Sequence, residues 1–314
     1  MFEGFNKAFI KYAIDRSAEN AVDRRRFLRA AGLTGLGVAG AGVLGAGTAL
    51  ADPEDDEAAA TDAAVLNFAL NLEYLEAEFY LLAAFGENLD SDLIDGKGKL
   101  GGVTGGSQVT FETKAVRQYA EEIANDELAH VKFLRAALGD AKVARPEINL
   151  QEAFTAAAQA AGLIGADEVF NPFADENSFL LGAFIFEDVG VTAYKGAAPL
   201  ITNKVFLEAA AGILAVEAYH ASLIRTVLFN RDLGDAANAI SDARDSLDSS
   251  TDVDQGIVVD GEANIVPADE NAIAFSRSPQ DVLNIVYLTP EAADSGGFFP
   301  NGVNGAIFES DGFA

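Results

Sequence analysis

Residues 125–138 read NDELAHVKFLRAAL, an apolar, helix-patterned run in which Glu127 precedes His130 by three positions. The arrangement returns once, at Glu217-Ala218-Tyr219-His220, and His130 and His220 are the only histidines in the chain. Residues i and i+3 share one face of an α-helix, so each pair can offer a carboxylate oxygen and an imidazole nitrogen to one point. Both histidines would carry such a glutamate by chance about one time in two hundred. A lone Glu-x-x-His reads as a surface salt bridge. Two of them, each inside a long apolar stripe, read as ligands.

Four long helices are expected around these pairs. Asp62 is a plausible N-cap for the first, which ends at Gly86. A Gly-rich loop from Glu87 to about Val109 leads to a second helix from near Thr110 to Leu138, with Gly139 as its stop. A long connection follows, with a short helix over about Leu150–Leu163 and the turn NPFADEN. The third helix spans about Glu176–Lys195 and the fourth about Asn203–Phe229.

Helical wheels, at roughly 100° per residue, sort the acidic residues. On the first helix Glu73 shares a stripe with Leu66, Leu70, Ala77 and Tyr80. Glu76 flanks that stripe as the alternative, and Asn67, Asn71 and Glu78 fall on the opposite side, expected to face solvent. On the second helix Glu127 and His130 lie with Ala120, Ile123, Val131 and Leu134, while Glu121, Asn125 and Lys132 face out. Glu187 of the third lies with Leu180, Ala183, Phe184, Val191 and Tyr194. Glu217 and His220 of the fourth lie with Ala210, Ile213, Ile224 and Leu228.

A buried, unpaired carboxylate costs several kcal/mol, so it takes up a proton or finds a cation. Four converging glutamates therefore predict positive charge between them, supplied by two divalent metal ions. Carboxylate and imidazole serve Fe and Mn alike. Tyr80 and Tyr194 each follow a predicted ligand by seven residues on the same face. They read as hydrogen-bond donors behind the ligands, as radical sites, or as plain core tyrosines. Asp126 can orient a ligand imidazole or stand as a solvated helix residue.

Beyond residue 231 the pattern changes to a short helix around Ala236–Leu247 and weak strand signals in GIVV and NIVP. Ser278-Pro279 then opens VLNIVYL as an N-cap and first-turn proline, and GGFFPNGVNGAIF reads as loop. The expected fold is all-α: a four-helix bundle over 62–230 with a long crossover between its second and third helices, plus a mixed, loop-rich extension over 231–314 packed on the bundle.

The chain carries 49 acidic and 21 basic residues, net −28. Such a surface excludes nucleic acid and anionic membranes as natural partners and points to a salt-adapted source, where screening relieves self-repulsion. With no cysteine, disulfides and thiolate metal sites are ruled out. At the N-terminus, DRRRFLR at 23–29 precedes a Gly/Ala-rich apolar run and the Ala49-Leu50-Ala51 site. Residues 1–51 therefore read as an export signal of the twin-arginine type, followed by an acidic linker at 52–61. The partner implied is the twin-arginine translocase, and the destination is periplasmic, cell-surface or extracellular. An uncleaved membrane anchor over 30–51 is the alternative.

The order Glu73, Glu127-x-x-His130, Glu187, Glu217-x-x-His220 resembles the ferritin-like superfamily. LNFALNLEYLEAEFY, DELAHVKFLRAALG, SRSPQDVLNIVYL and GGFFPNGVNG are similar to its desiccation-related family. The resemblance implies that Glu127 and Glu217 bridge two metals, that Glu73 and Glu187 are terminal carboxylates, and that His130 and His220 are nitrogen ligands. The family's biochemical role is poorly defined, but a dinuclear Fe or Mn centre can share a two-electron change with peroxide or O₂, and the expected chemistry is of peroxidase, catalase-like or ferroxidase type. A stress-protective protein with a fold-stabilising metal, or a metal-sequestering one, are the alternatives. The long Gly-rich loop and the C-terminal extension would obstruct a ferritin cage, while leaving room for a smaller homo-oligomer.

Overall fold

The computed structural model describes residues 53–248 and 251–312, with side chains described from residue 57 onward. The twin-arginine motif and the apolar run after it lie outside the described residues.

The bundle consists of α1 (Pro53–Phe85), α2 (Lys114–Leu138), α4 (Glu176–Ala197) and α5 (Lys204–Asn230), with α3 (Glu152–Ala160) in the crossover. Helix α1 packs along α2 and α4 along α5, and the two pairs meet mainly through α1 and α4. Their ends follow from local chemistry. Gly86 leaves α1 at φ +73° and returns its N–H to the Leu82 carbonyl at 2.9 Å, the left-handed stop that glycine adopts without strain. Gly139 ends α2 at φ +53°. The Asp175 side chain caps α4 through the N–H groups of Asn177 and Ser178, and Asn203 caps α5 through those of Val205 and Phe206.

Helix α1 starts at Pro53, so most of the expected acidic linker is helical and Asp62 caps nothing in its own helix. Its carboxylate instead accepts from Thr202 N–H at 2.6 Å and Asn203 N–H at 2.9 Å, fastening α1 to the entry of α5. The second correction concerns Asn67, Asn71 and Glu78, which are buried rather than solvated. Asn67 exchanges hydrogen bonds with the backbone of Ala141 and Val143. Asn71 does so with the backbone of Asn304, and Glu78 pairs with Arg145. The crossover and the C-terminal tail wrap the outer face of α1, and each polar group there finds a partner, as burial demands.

Two short strands, β1 (Val103–Thr104) and β2 (Ile148–Asn149), pair in parallel and tie the Gly-rich loop to the crossover. In the extension, α6 (Gly234–Asp248) packs on α7 (Pro279–Tyr287), and both touch α4. GIVV supplies β3 (Val258–Val259), but its antiparallel partner β4 is Glu262–Ala263 rather than NIVP. Asp260 and Gly261 between them both have positive φ (51° and 83°), the backbone a tight two-residue hairpin turn requires. Ser278 and Asp281 form a capping box with Pro279 in the first turn of α7.

A buried ionic network holds the extension to the bundle. Arg225 and Arg244 both reach Asp188 of α4. Arg244 also reaches Asp254, and Arg277 joins Asp248, Asp254 and Thr192. At one end of the core Phe79, Phe154, Phe179, Phe186 and Phe298 pack ring on ring, with neighbouring centroids 4.9–5.6 Å apart.

Candidate metal centre

Each bundle helix delivers its predicted glutamate to one buried centre. Glu73, Glu127, Glu187 and Glu217 are at most 1% exposed, His130 8% and His220 5%. Two groups form. In the first, Glu73, Glu127, His130 and Glu217 each offer one atom, and in the second Glu127, Glu187 and His220 do so; within each group these atoms all lie within 4.8 Å of one another. Glu127 belongs to both. Its Oε2 lies 3.2 Å from His130 Nδ1 and its Oε1 3.1 Å from His220 Nδ1. Glu73 Oε2 lies 3.2 Å and Glu217 Oε1 3.6 Å from His130 Nδ1, and Glu187 Oε2 lies 3.6 Å from His220 Nδ1.

Hydrogen bonding accounts for only part of this proximity: His130 Nδ1 is within hydrogen-bond distance of Glu73 Oε2 and Glu127 Oε2, but no such bond forms at His220 Nδ1 or at either Glu217 oxygen. Glu127 Oε1, Glu187 Oε2, both Glu217 oxygens and His220 Nδ1 are buried with no hydrogen-bond partner. Orphaned buried acceptors are costly, and these aim lone pairs at shared points. The donor set of carboxylate oxygens and imidazole nitrogens is one that Fe and Mn accept. Four ionised carboxylates would balance two divalent ions.

The buried carboxylates and imidazoles shift one another strongly. Burial lifts Glu73 to about 7, against the opposing charge of His130, and lifts Glu187 to about 8, against that of His220. Burial and the neighbouring carboxylates push Glu217 and Glu76 well above the carboxylate range. Glu127 is held low despite its burial, because both imidazoles face it. Burial opposes the charged form of each histidine, yet the carboxylates raise His130 to about 11 and His220 to about 9.

The surrounding groups fix these side chains. Tyr80 of α1 donates to Glu187 Oε1 across the bundle, and Tyr194 of α4 donates to Glu73 Oε1 in return. Each tyrosine thus serves the ligand of the facing helix rather than the one seven residues before it. In both glutamates Oε1 is engaged by the hydroxyl and Oε2 turns to the histidine. Asp126 lies 3.1 Å from His220 Nε2, where it fixes Nε2 as the protonated nitrogen and frees Nδ1 as a ligand.

One placement differs from expectation. Glu217 gathers with His130 of α2 rather than with His220 in its own helix, so only Glu127 spans both groups. Glu217 lies against Gly190 of α4, where a Cβ would stand 2.4 Å from its Oε2. The missing side chain makes room for that carboxylate. Glu76 is buried beside the cluster but belongs to neither group. Gly190 was overlooked as a functional position, although a glycine inside a helix costs about 1 kcal/mol relative to Ala and asks for a packing reason. Arg225, Arg244 and Arg277 carried no local signal.

A four-helix bundle in which two helix pairs each bring a Glu helix and a Glu-x-x-His helix to one buried centre defines the ferritin-like class of carboxylate–imidazole proteins. The chain belongs to the ferritin-like domain family, whose profile matches residues 61–230, more than half of its length. It is 29% identical over 271 residues to the desiccation-related protein PCC13-62 of Craterostigma plantagineum, covering 80% of this chain and 86% of that protein. It is likewise 29% identical over 272 residues to the ferritin-like catalase Nec2 of Nesocodon mauritianus, covering 80% and 85%. No solved structure matches significantly.

Proposed function

We propose that the protein is an exported dinuclear Fe or Mn oxidoreductase that consumes hydrogen peroxide by dismutation. The observation that carries this reading is the pair of ligand groups sharing Glu127, with five buried atoms left without hydrogen-bond partners. Glu73, His130 and Glu217 would hold one ion and Glu187 and His220 the other, with one Glu127 oxygen to each. Such a pair of ions would supply two-electron redox storage, the capacity that dismutation needs to couple oxidation of one peroxide to O₂ and two protons with reduction of a second, by the same two electrons and two protons, to two waters. The chain's own contribution is geometric. Tyr80 and Tyr194 hold Glu187 and Glu73 in register, Asp126 sets the His220 tautomer, and the apolar bundle keeps bulk water out. The name of the relative Nec2 as a ferritin-like catalase supports the chemistry. The DRRRFLR segment and the apolar run after it support export through the twin-arginine translocase.

A second reading, a stress-protective protein in which metal only staples the fold, draws on the relative named for desiccation. Elemental analysis paired with a peroxide assay separates the two. The catalytic reading expects about two Fe or Mn per chain, O₂ released at half the molar amount of peroxide consumed, and loss of that activity in Glu127→Ala. Full metal occupancy without peroxide consumption would overturn it and leave the staple.

A further inference from the structure

Beside the candidate metal centre lies a small, almost wholly apolar cavity of about 20 Å³. Glu76, Gly190 and Tyr194 line it beside the cluster, and Ile285, Val286 and Phe298 of the C-terminal extension supply another part of its lining. Tyr194 spends its hydroxyl on Glu73, while no described donor reaches the Glu76 carboxyl. The Cβ position at Gly190 lies 2.4 Å from Glu217 Oε2 and 3.5 Å from Glu76 Oε1. Glu217 Oε2 takes up the space of the absent side chain, so at Gly190 the ligand group lies directly behind the cavity wall, with the Glu76 carboxyl beside it.

The volume decides what can enter. A site needs roughly 10–15 Å³ of this kind to hold a water-sized molecule, so the cavity takes one molecule of one or two heavy atoms. Its apolar walls disfavour an ion, which would lose its hydration for no counter-charge. The Glu76 carboxyl offers a hydrogen-bonding molecule one anchor within reach of Glu217. We propose that this cavity is the entry chamber of the metal centre, shaped between Glu76 and Gly190 for neutral molecules the size of hydrogen peroxide and narrowed by the C-terminal extension. The inference rests on the dinuclear reading above and adds a substrate class and a task for the extension.

Ala193, which also lines the cavity, is the position to fill, and Ile285 the position to open. The probe is nitric oxide, mixed with Fe(II)-loaded protein in a stopped-flow spectrometer. In Ala193→Leu the binding rate should fall about tenfold or more, with the iron content of wild type. In Ile285→Ala, tert-butyl hydroperoxide should gain on hydrogen peroxide as a substrate. Xenon-pressurised crystals of wild type should show one xenon atom between Ala193 and Ile285. An undiminished nitric oxide rate in an iron-replete Ala193→Leu protein overturns the chamber. Should that variant fail to fold, absence of xenon from wild type overturns it. Chamber-dependent nitric oxide binding without peroxide turnover refutes the proposed reaction and leaves the chamber standing; turnover that ignores Ala193→Leu refutes the chamber alone.

Discussion

Substituting Gly190 by Ala tests the reason that Glu217 sits where it does. The new Cβ would stand 2.4 Å from Glu217 Oε2, closer than any real contact, so the carboxylate must retreat by about 1 Å to restore van der Waals distance. The substitution also removes a helix-interior glycine from α4, which by propensity alone stabilises the metal-free fold by up to about 1 kcal/mol. The two effects separate in the assay. Chelator-treated Gly190→Ala should melt at or above the wild-type temperature. Calorimetric metal titration should show the ion at the Glu73–His130–Glu217 group weakened by about 10–100-fold, or roughly 1.4–2.7 kcal/mol. The extra thermal stability gained on metal loading should shrink accordingly. Wild-type metal affinity at both sites in Gly190→Ala would refute the assignment of Glu217 as a ligand and the role given to the glycine.

Asp126→Asn, which keeps shape but loses the charge facing His220 Nε2, should weaken the second ion about tenfold and leave the first untouched. The metal-free protein should lose stability as pH rises. Glu73 (about 7), Glu187 (about 8), His220 (about 9) and His130 (about 11) all hold protons in the fold that the unfolded chain has released. Metal must displace those protons, so metal affinity should rise over the same range, and the melting-temperature gap between loaded and chelated protein should widen from pH 5 to 9; a constant gap contradicts this. Arg277→Ala strands Asp248 in the interior and leaves Asp254 with Arg244 alone, and should cost about 3–5 kcal/mol in denaturant unfolding. With a net charge of −28, the wild type should gain thermal stability as KCl is raised from about 0.1 M to 1 M; indifference to salt would remove the case for a salt-adapted surface.

The buried Glu/His cluster was readable because i, i+3 spacing and apolar stripes are local properties, and three of the four bundle helices follow from cap and glycine signals within a few residues, whereas α1 begins well ahead of Asp62. What escaped depends on distant partners. Asn67, Asn71 and Glu78 looked solvated on a wheel because nothing in α1 announces that residues 141–145 and 304 will cover them. Asp62 resembled an N-cap, and it does satisfy orphan N–H groups, but those at the entry of another helix. Glu217 sits in space that a Cβ on Gly190 of a neighbouring helix would occupy, a contact no periodicity contains. The Arg225–Arg244–Arg277 network joins residues 10 to 85 positions apart, and helix-scale patterns do not register such pairings.

The central claim is that two cations hold six side chains together in the dry middle of the bundle. Anomalous diffraction at the Mn or Fe edge from crystals of metal-loaded protein tests it directly. The account predicts two peaks flanking the Glu127 carboxylate, one at His130 Nδ1 with Glu73 and Glu217, the other at His220 Nδ1 with Glu187. A single peak, or peaks only on the acidic surface, would contradict it.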